Sequence, residues 1–148
     1  MTRDDFLKQA IQLELDSEAQ YRKLINIVLA QGRLDASEFF HQMAEFSREH
    51  REAMQRHANQ DVTPASTQQE PALPTVGEFA NDVATAAPWE LDEAMALALA
   101  SEQHGVEFYE KMALEATDLP TRTLAEEFAA EEREHVLALE RFMGIRPY

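Results

Sequence analysis

Residues 124–135 read LAEEFAAEEREH, and residues 39–50 read FFHQMAEFSREH. The two segments end alike, in Glu132-Arg133-Glu134-His135 and in Ser47-Arg48-Glu49-His50. On an α-helix, residues three apart share one face and lie about one turn apart. Glu132 and His135 would therefore offer a carboxylate and an imidazole to one point, a spacing that helices use to present two ligands to one metal ion. The first segment keeps the histidine and carries Ser47 where the second has Glu132.

The sequence around both segments reads as helix. Glycine and proline are sparse (4 and 6 residues), while Ala, Leu, Glu and Gln are abundant, a composition that favours helix over sheet. Thr2 and Asp5 form a cap-like pair, and a first helix runs from there to about Ala30, with Gly32 suited to its C-terminal cap. Asp35 and Glu38 form a similar pair at the start of a second helix that runs to about Ala58. The segment DVTPASTQQEPALP is a loop by composition, and Thr75 with Glu78 suits the cap of a short helix over VGEFANDVATA. A third helix is expected from near Pro88 to about Ala116. After a turn marked by Asp118 and Pro120, a fourth runs to about Met143 and stops at Gly144. The whole chain, 1–148, is thus expected to form a single all-α domain. It comprises a helix pair (1–58), a connection (59–87) and a second helix pair (88–143). Short loops within each pair make its helices antiparallel neighbours. The long connection is sufficient to cross the length of a bundle, which gives a four-helix bundle with one long crossover between helices 2 and 3, the ferritin-like arrangement.

The two pairs also read as an internal repeat. Glu14 is followed seven residues later by Tyr21, and Glu102 seven residues later by Tyr109. His50 lies 36 residues after Glu14, and His135 lies 33 after Glu102. Each helix carries a largely apolar stripe at steps of three and four, and each stripe is interrupted near its middle by Glu or His. A carboxylate in a bundle core costs several kcal/mol unless it is paired or bound to metal. Four stripes interrupted at one level argue for a shared partner, and a dimetal centre supplies one.

Composition narrows the chemistry. Cysteine is absent, which excludes disulfides, thiolate catalysis and thiolate-held metal within this sequence. Any metal is held by Glu, Asp, His and water, a donor set that suits iron, manganese or zinc. The net charge of −15 opposes binding to a nucleic-acid backbone. No apolar run approaches the roughly 20 residues needed to span a membrane. The N-terminus MTRDDFLKQA lacks the apolar core of a secretory signal, so a cytoplasmic location is expected.

SEQHGVEFYEKMA (101–113), LAEEFAAEEREH (124–135), AIQLELDSEAQY (10–21) and FFHQMAEFSREH (39–50) together resemble the four helices of the rubrerythrin-like branch of the ferritin-like di-iron carboxylate proteins. The resemblance spans nearly the whole chain apart from the connection near 60–88. It implies that Glu14 and Glu102 are terminal carboxylate ligands, that Glu132 is a bridging carboxylate, and that His50 and His135 are the histidine ligands. It further implies that Tyr21 and Tyr109 stand behind the ligands, although each also suits a plain core tyrosine. Two iron ions are expected for the family, with Fe(II) and O2 or peroxide as reactants. A homodimer is also expected, with Phe39 as an exposed apolar residue that could support it. The chain departs from the family at Ser47, where a second bridging carboxylate is due, and it contains nothing like the cysteine-ligated rubredoxin domain, so a separate electron donor is expected.

Ser47 weakens the dimetal reading, because two divalent ions face three carboxylates rather than four. Glu45 and Glu49 flank it but sit about 200° away around the helix. Glu18, one turn beyond Glu14, is better placed to fill the gap, though an edge position suits it as well. His57 lies too far along the axis to share an ion, and His41 and His104 fall off the ligand stripes. Two other functions fit the same residues: a non-catalytic protein holding one ion or a weak pair, and a degenerate bundle used for assembly.

Overall fold

The structure is a computed structural model that describes residues 2–58 and 91–145. Among these residues there are four long helices and no strand: α1 (Arg3–Ala30), α2 (Leu34–His57), α3 (Leu91–Glu115) and α4 (Leu119–Phe142).

Local chemistry sets the ends. At α1 the Thr2 side chain accepts from the Asp5 backbone N–H and the Asp5 side chain accepts in return from the Thr2 N–H, a closed capping box. At its other end Gly32 adopts φ 73°. The Gly32 N–H donates to the Leu29 carbonyl at 2.9 Å and the Arg33 N–H to the Val28 carbonyl at 3.0 Å, the paired bonds of a Schellman turn. That turn reverses the chain within a few residues and lays α2 antiparallel to α1. The start of α2 differs from the expected Asp35–Glu38 cap. The helix begins one residue earlier, after Arg33, with no side-chain cap. Asp35 lies inside the first turn and is drawn off by the Arg33 guanidinium at 3.2 and 3.1 Å. At α4 the Asp118 side chain accepts from the Thr121 N–H and hydroxyl at 3.0 and 2.8 Å, with Pro120 in the first turn.

The core has two parts. One end of the bundle is filled by Phe6, Leu7 and Ile11 of α1, Met54 of α2, Tyr109 and Met112 of α3, and Ala125 and Phe128 of α4. The other end is filled by Leu24 and Val28 of α1, Phe40 and Met43 of α2, Ala94 and Met95 of α3, and Leu139 of α4. The start of α1 therefore shares an end with the finish of α2, the finish of α3 and the start of α4. Helices α2 and α3 run parallel. This is the connectivity of a ferritin-like four-helix bundle. The segment 59–90, with the expected short helix and the Pro88 start, lies outside the described residues.

Phe39, expected to be exposed, is partly buried and stacks on Phe142 with centroids 4.5 Å apart. It packs against the second core, because α4 ends where α2 begins. Among the described residues, the large apolar side chains that are exposed are Leu29, Leu34, Leu114, Leu119 and Ile145.

Candidate metal centre

Between the two apolar cores lies a polar layer. Glu14, Ser17, Ser47, His50, Ser101, Glu102 and Glu132 are all buried there, with His135 at its edge, its side chain 12 % exposed. The layer exists because the ligand-type residues interrupt each apolar stripe at the same height, and antiparallel packing brings those interruptions together.

Two clusters form. Ligand atoms of Glu14, His50 and Glu132 lie within 4.8 Å of one another, as do those of Glu102, Glu132 and His135. Glu132 belongs to both. Its Oε1 is 3.5 Å from His50 Nδ1, and its Oε2 is 3.4 Å from His135 Nδ1. Glu14 Oε1 lies 3.5 Å from His50 Nδ1, and Glu102 Oε2 lies 3.5 Å from His135 Nδ1. The five residues singled out in the sequence are thus together, and one carboxylate spans both clusters.

These separations exceed a hydrogen bond, and His50 Nδ1 is buried without a hydrogen-bond partner. Ligand atoms about 2.1 Å from a common ion lie no more than about 4.2 Å apart. The orphaned nitrogen and the oxygens around it therefore suit a cation placed among them. The donor set of imidazole and carboxylate matches iron, manganese or zinc.

Tyrosines fix Glu102 and Glu14 by crossing the bundle. The Tyr21 hydroxyl on α1 donates to Glu102 on α3 at 2.6 Å, and the Tyr109 hydroxyl on α3 donates to Glu14 on α1 at 2.8 Å. Burial, followed by these carboxylates, raises both phenols well above their ordinary value. They remain neutral donors.

The far nitrogens of the histidines are treated differently. His50 Nε2 meets Glu131 Oε2 at 2.5 Å. His135 instead stacks on Phe46, with centroids 5.1 Å apart and planes at 11°. Glu131 was missed in the sequence, where it reads as one more acidic residue on a solvated face. The available signal was its place beside Glu132, where Phe46 stands beside Ser47. The two histidines also stack on one another at 5.3 Å, and their edges line a groove of about 720 Å³ between α2 and α4, together with Glu49, His57 and Glu131.

Without metal the cluster holds protons. Burial opposes a charge on His50, but Glu131, Glu132 and Glu14 outweigh it and push its pKa up to about 12. His135 rises to about 10, with burial again outweighed, here by Glu102 and Glu132. Burial and the neighbouring Glu102 and Glu14 carry Glu132 well above the ordinary carboxyl value. Glu102 moves down despite burial, held as the anion by Glu132, His135 and Tyr21.

The remaining sequence candidates fall outside the layer. Glu18 is held by Arg22 at 3.3 Å and Arg51 at 3.1 Å, which directs it away from the space beside Ser47. His41 sits near Arg22 on the outer face. His57 is exposed, and its backbone carbonyl accepts from Arg3. His104 belongs to neither cluster. The Ser47 hydroxyl donates to Ser17 Oγ at 3.2 Å.

Residues 5–143 match the sequence profile of the rubrerythrin family. The chain belongs to that family. The rubrerythrin resemblance read from the four helical segments therefore holds across both helix pairs, including the half that carries Ser47. Among solved structures, the chain is similar to an uncharacterized conserved protein from Magnetospirillum magnetotacticum MS-1. The identity is 28% and the TM-score 0.77, over 97% of this chain and 94% of that one. None of the curated proteins matches the chain significantly. No helix among the described residues is long and apolar enough to cross a membrane. Rubrerythrin-family membership is consistent with binding of metal by the Glu and His layer.

Proposed function

We propose that this rubrerythrin-family chain is a di-iron oxidoreductase acting on Fe(II) with O2 or peroxide. One ion is held by Glu14, His50 and Glu132, and the other by Glu102, Glu132 and His135. The observation that carries this reading is the sharing of Glu132 between two clusters of metal-ligand type. Two ferrous ions would supply the two electrons that, with two protons, reduce peroxide to water. The chain's own residues prepare for this. Tyr21 and Tyr109 hold the terminal carboxylates, so that one oxygen of each is aimed at a histidine nitrogen. Glu131 accepts from His50 Nε2, which leaves Nδ1 as the lone-pair nitrogen turned into the cluster once His50 is deprotonated. The apolar cores above and below keep water out, and the groove between α2 and α4 gives a small oxidant access to the histidine edges. Electrons return from a donor outside these 148 residues, which contain no cysteine to hold a relay iron. The homodimer and the cytoplasmic location belong to the same proposal.

An anaerobic Fe(II) titration followed by exposure to O2 or peroxide tests it. Saturation at two ions per chain and rapid oxidation on mixing are expected. Saturation well below two overturns the di-iron assignment. A single-ion, non-catalytic protein is the second reading, and one observation favours it: at the place of the second bridging carboxylate stand two hydroxyls bonded to each other. Saturation at one ion with no turnover selects it.

A further inference from the structure

The two halves of the polar layer solve one packing position in opposite ways. Three residues after Glu102 comes Gly105, and three residues after Glu14 comes Ser17. Each lies one turn beyond its glutamate on the same helix face, so Gly105 and Ser17 are counterparts in the repeat. So are Glu132 and Ser47. In the second half, the Glu132 side chain lies against the bare Cα of Gly105. A Cβ there would stand 3.3 Å from Glu132 Oε2, 3.5 Å from its Cδ and 3.7 Å from its Cγ. Such a methyl group would already press on the carboxylate, and a serine hydroxyl would reach one bond further. In the first half, Ser17 carries both that Cβ and that hydroxyl, is buried, and fills the space facing α2 by accepting from Ser47.

We infer that Ser17 and Gly105 decide, one in each half of the bundle, whether the facing helix can place a carboxylate in the metal layer. Glycine admits Glu132, and serine excludes a glutamate at position 47. The missing bridge is a change at two positions, and the serine pair is one unit. Glutamate restored at 47 meets the Ser17 hydroxyl at the place where Glu132 meets no side chain. The glycine at 105 is there for the carboxylate, since a mid-helix glycine has no advantage for the helix itself. The consequence for metal rests on the metal-binding reading above, whereas the steric coupling does not.

The test is a cycle of wild type, S17G, S47E and S17G/S47E, with G105S beside it. Metal-free melting temperatures are measured first, and Co(II) binding is then measured by calorimetry. S17G alone is expected to lower the melting temperature by a few degrees, about the effect of a glycine within a helix. In the S47E background the same change is expected to raise it. This reversal of sign reads the steric coupling without metal. In the Co(II) arm, S17G/S47E is expected to bind its weaker equivalent about ten-fold or more tighter than S47E does. G105S is expected to keep its helical spectrum and bind Co(II) about ten-fold or more weakly than wild type. Melting shifts that simply add overturn the inference, whatever the metal data show. S47E that binds Co(II) as well as the double variant, or G105S that binds like wild type, also overturns it. A sign reversal in melting with no Co(II) bound by any chain, wild type included, supports the packing rule and overturns the proposed function instead.

Discussion

The Tyr109 hydroxyl reaches across the bundle from α3 to donate to Glu14 on α1 at 2.8 Å. Tyr21 makes the reciprocal bond to Glu102 at 2.6 Å. Helices α1 and α3 thus each supply the ligand-type carboxylate of one cluster and the donor that steadies the carboxylate of the other. These two bonds tie the halves of the repeat to each other.

Loss of either hydroxyl should loosen one carboxylate. Tyr109→Phe leaves a buried carboxylate oxygen without its donor, and the metal-free protein should lose about 1–3 kcal/mol of stability in urea denaturation. Metal affinity should fall roughly 10- to 100-fold, as for other partners that orient a ligand. Retention of wild-type affinity in Tyr109→Phe and Tyr21→Phe would show that the tyrosines only fill the core.

Glu131 should act through His50. Glu131→Ala frees His50 Nε2, so the ring is no longer held with Nδ1 inward, and the ion at Glu14, His50 and Glu132 should bind about ten-fold more weakly. Glu131→Gln keeps an acceptor oxygen and should retain most of the affinity. The two variants are compared by calorimetry with Co(II). Equal losses in both would point to the charge of Glu131 rather than its hydrogen bond.

The shared carboxylate should be distinguishable from the others by counting ions. Glu132→Gln should weaken both ions, whereas Glu14→Gln or Glu102→Gln should weaken chiefly one. Metal per chain after dialysis against a fixed free-metal buffer gives the count. Since burial and two neighbouring carboxylates disfavour the Glu132 anion, Glu132→Gln should melt no lower than wild type when metal is absent. A fall of many degrees would mean that Glu132 supports the fold as well.

Metal has to displace protons from this cluster. His50, with a metal-free pKa near 12, and His135, near 10, both carry a proton at neutral pH. Binding should therefore release protons and tighten as pH rises. Calorimetry in buffers of different ionisation enthalpy measures the release, and heats independent of buffer would contradict it. For the metal-free fold the sign is also determined. Each histidine is raised above its unfolded value near 6.5, so its stabilisation is complete below that pH and is lost as pH climbs through about 10 and then 12. The metal-free melting temperature should fall between pH 8 and pH 11, and the metal-loaded protein should show less of that fall.

The helices, their order and the five ligand-type residues were legible because each depends on local spacing. Thr2 and Asp5 close a cap within one turn, and Glu132 and His135 share a face whatever lies opposite. The Asp35–Glu38 cap at the start of α2 was misread because Arg33, just outside the helix, competes for Asp35. Phe39 was misread because exposure depends on Phe142, which is more than a hundred positions away in the chain.

By itself the sequence determined the helix pairs, the stripes and the interruption of each stripe by Glu or His at matching heights, since periodicity and capping act over a few residues. Only the tertiary structure decided which side chains meet across helices: Glu132 spanning both clusters, Glu131 on His50, Phe46 on His135, and Ser17 against Ser47 where Gly105 lies against Glu132. Those contacts depend on interhelical distance and rotation, which no single helix encodes.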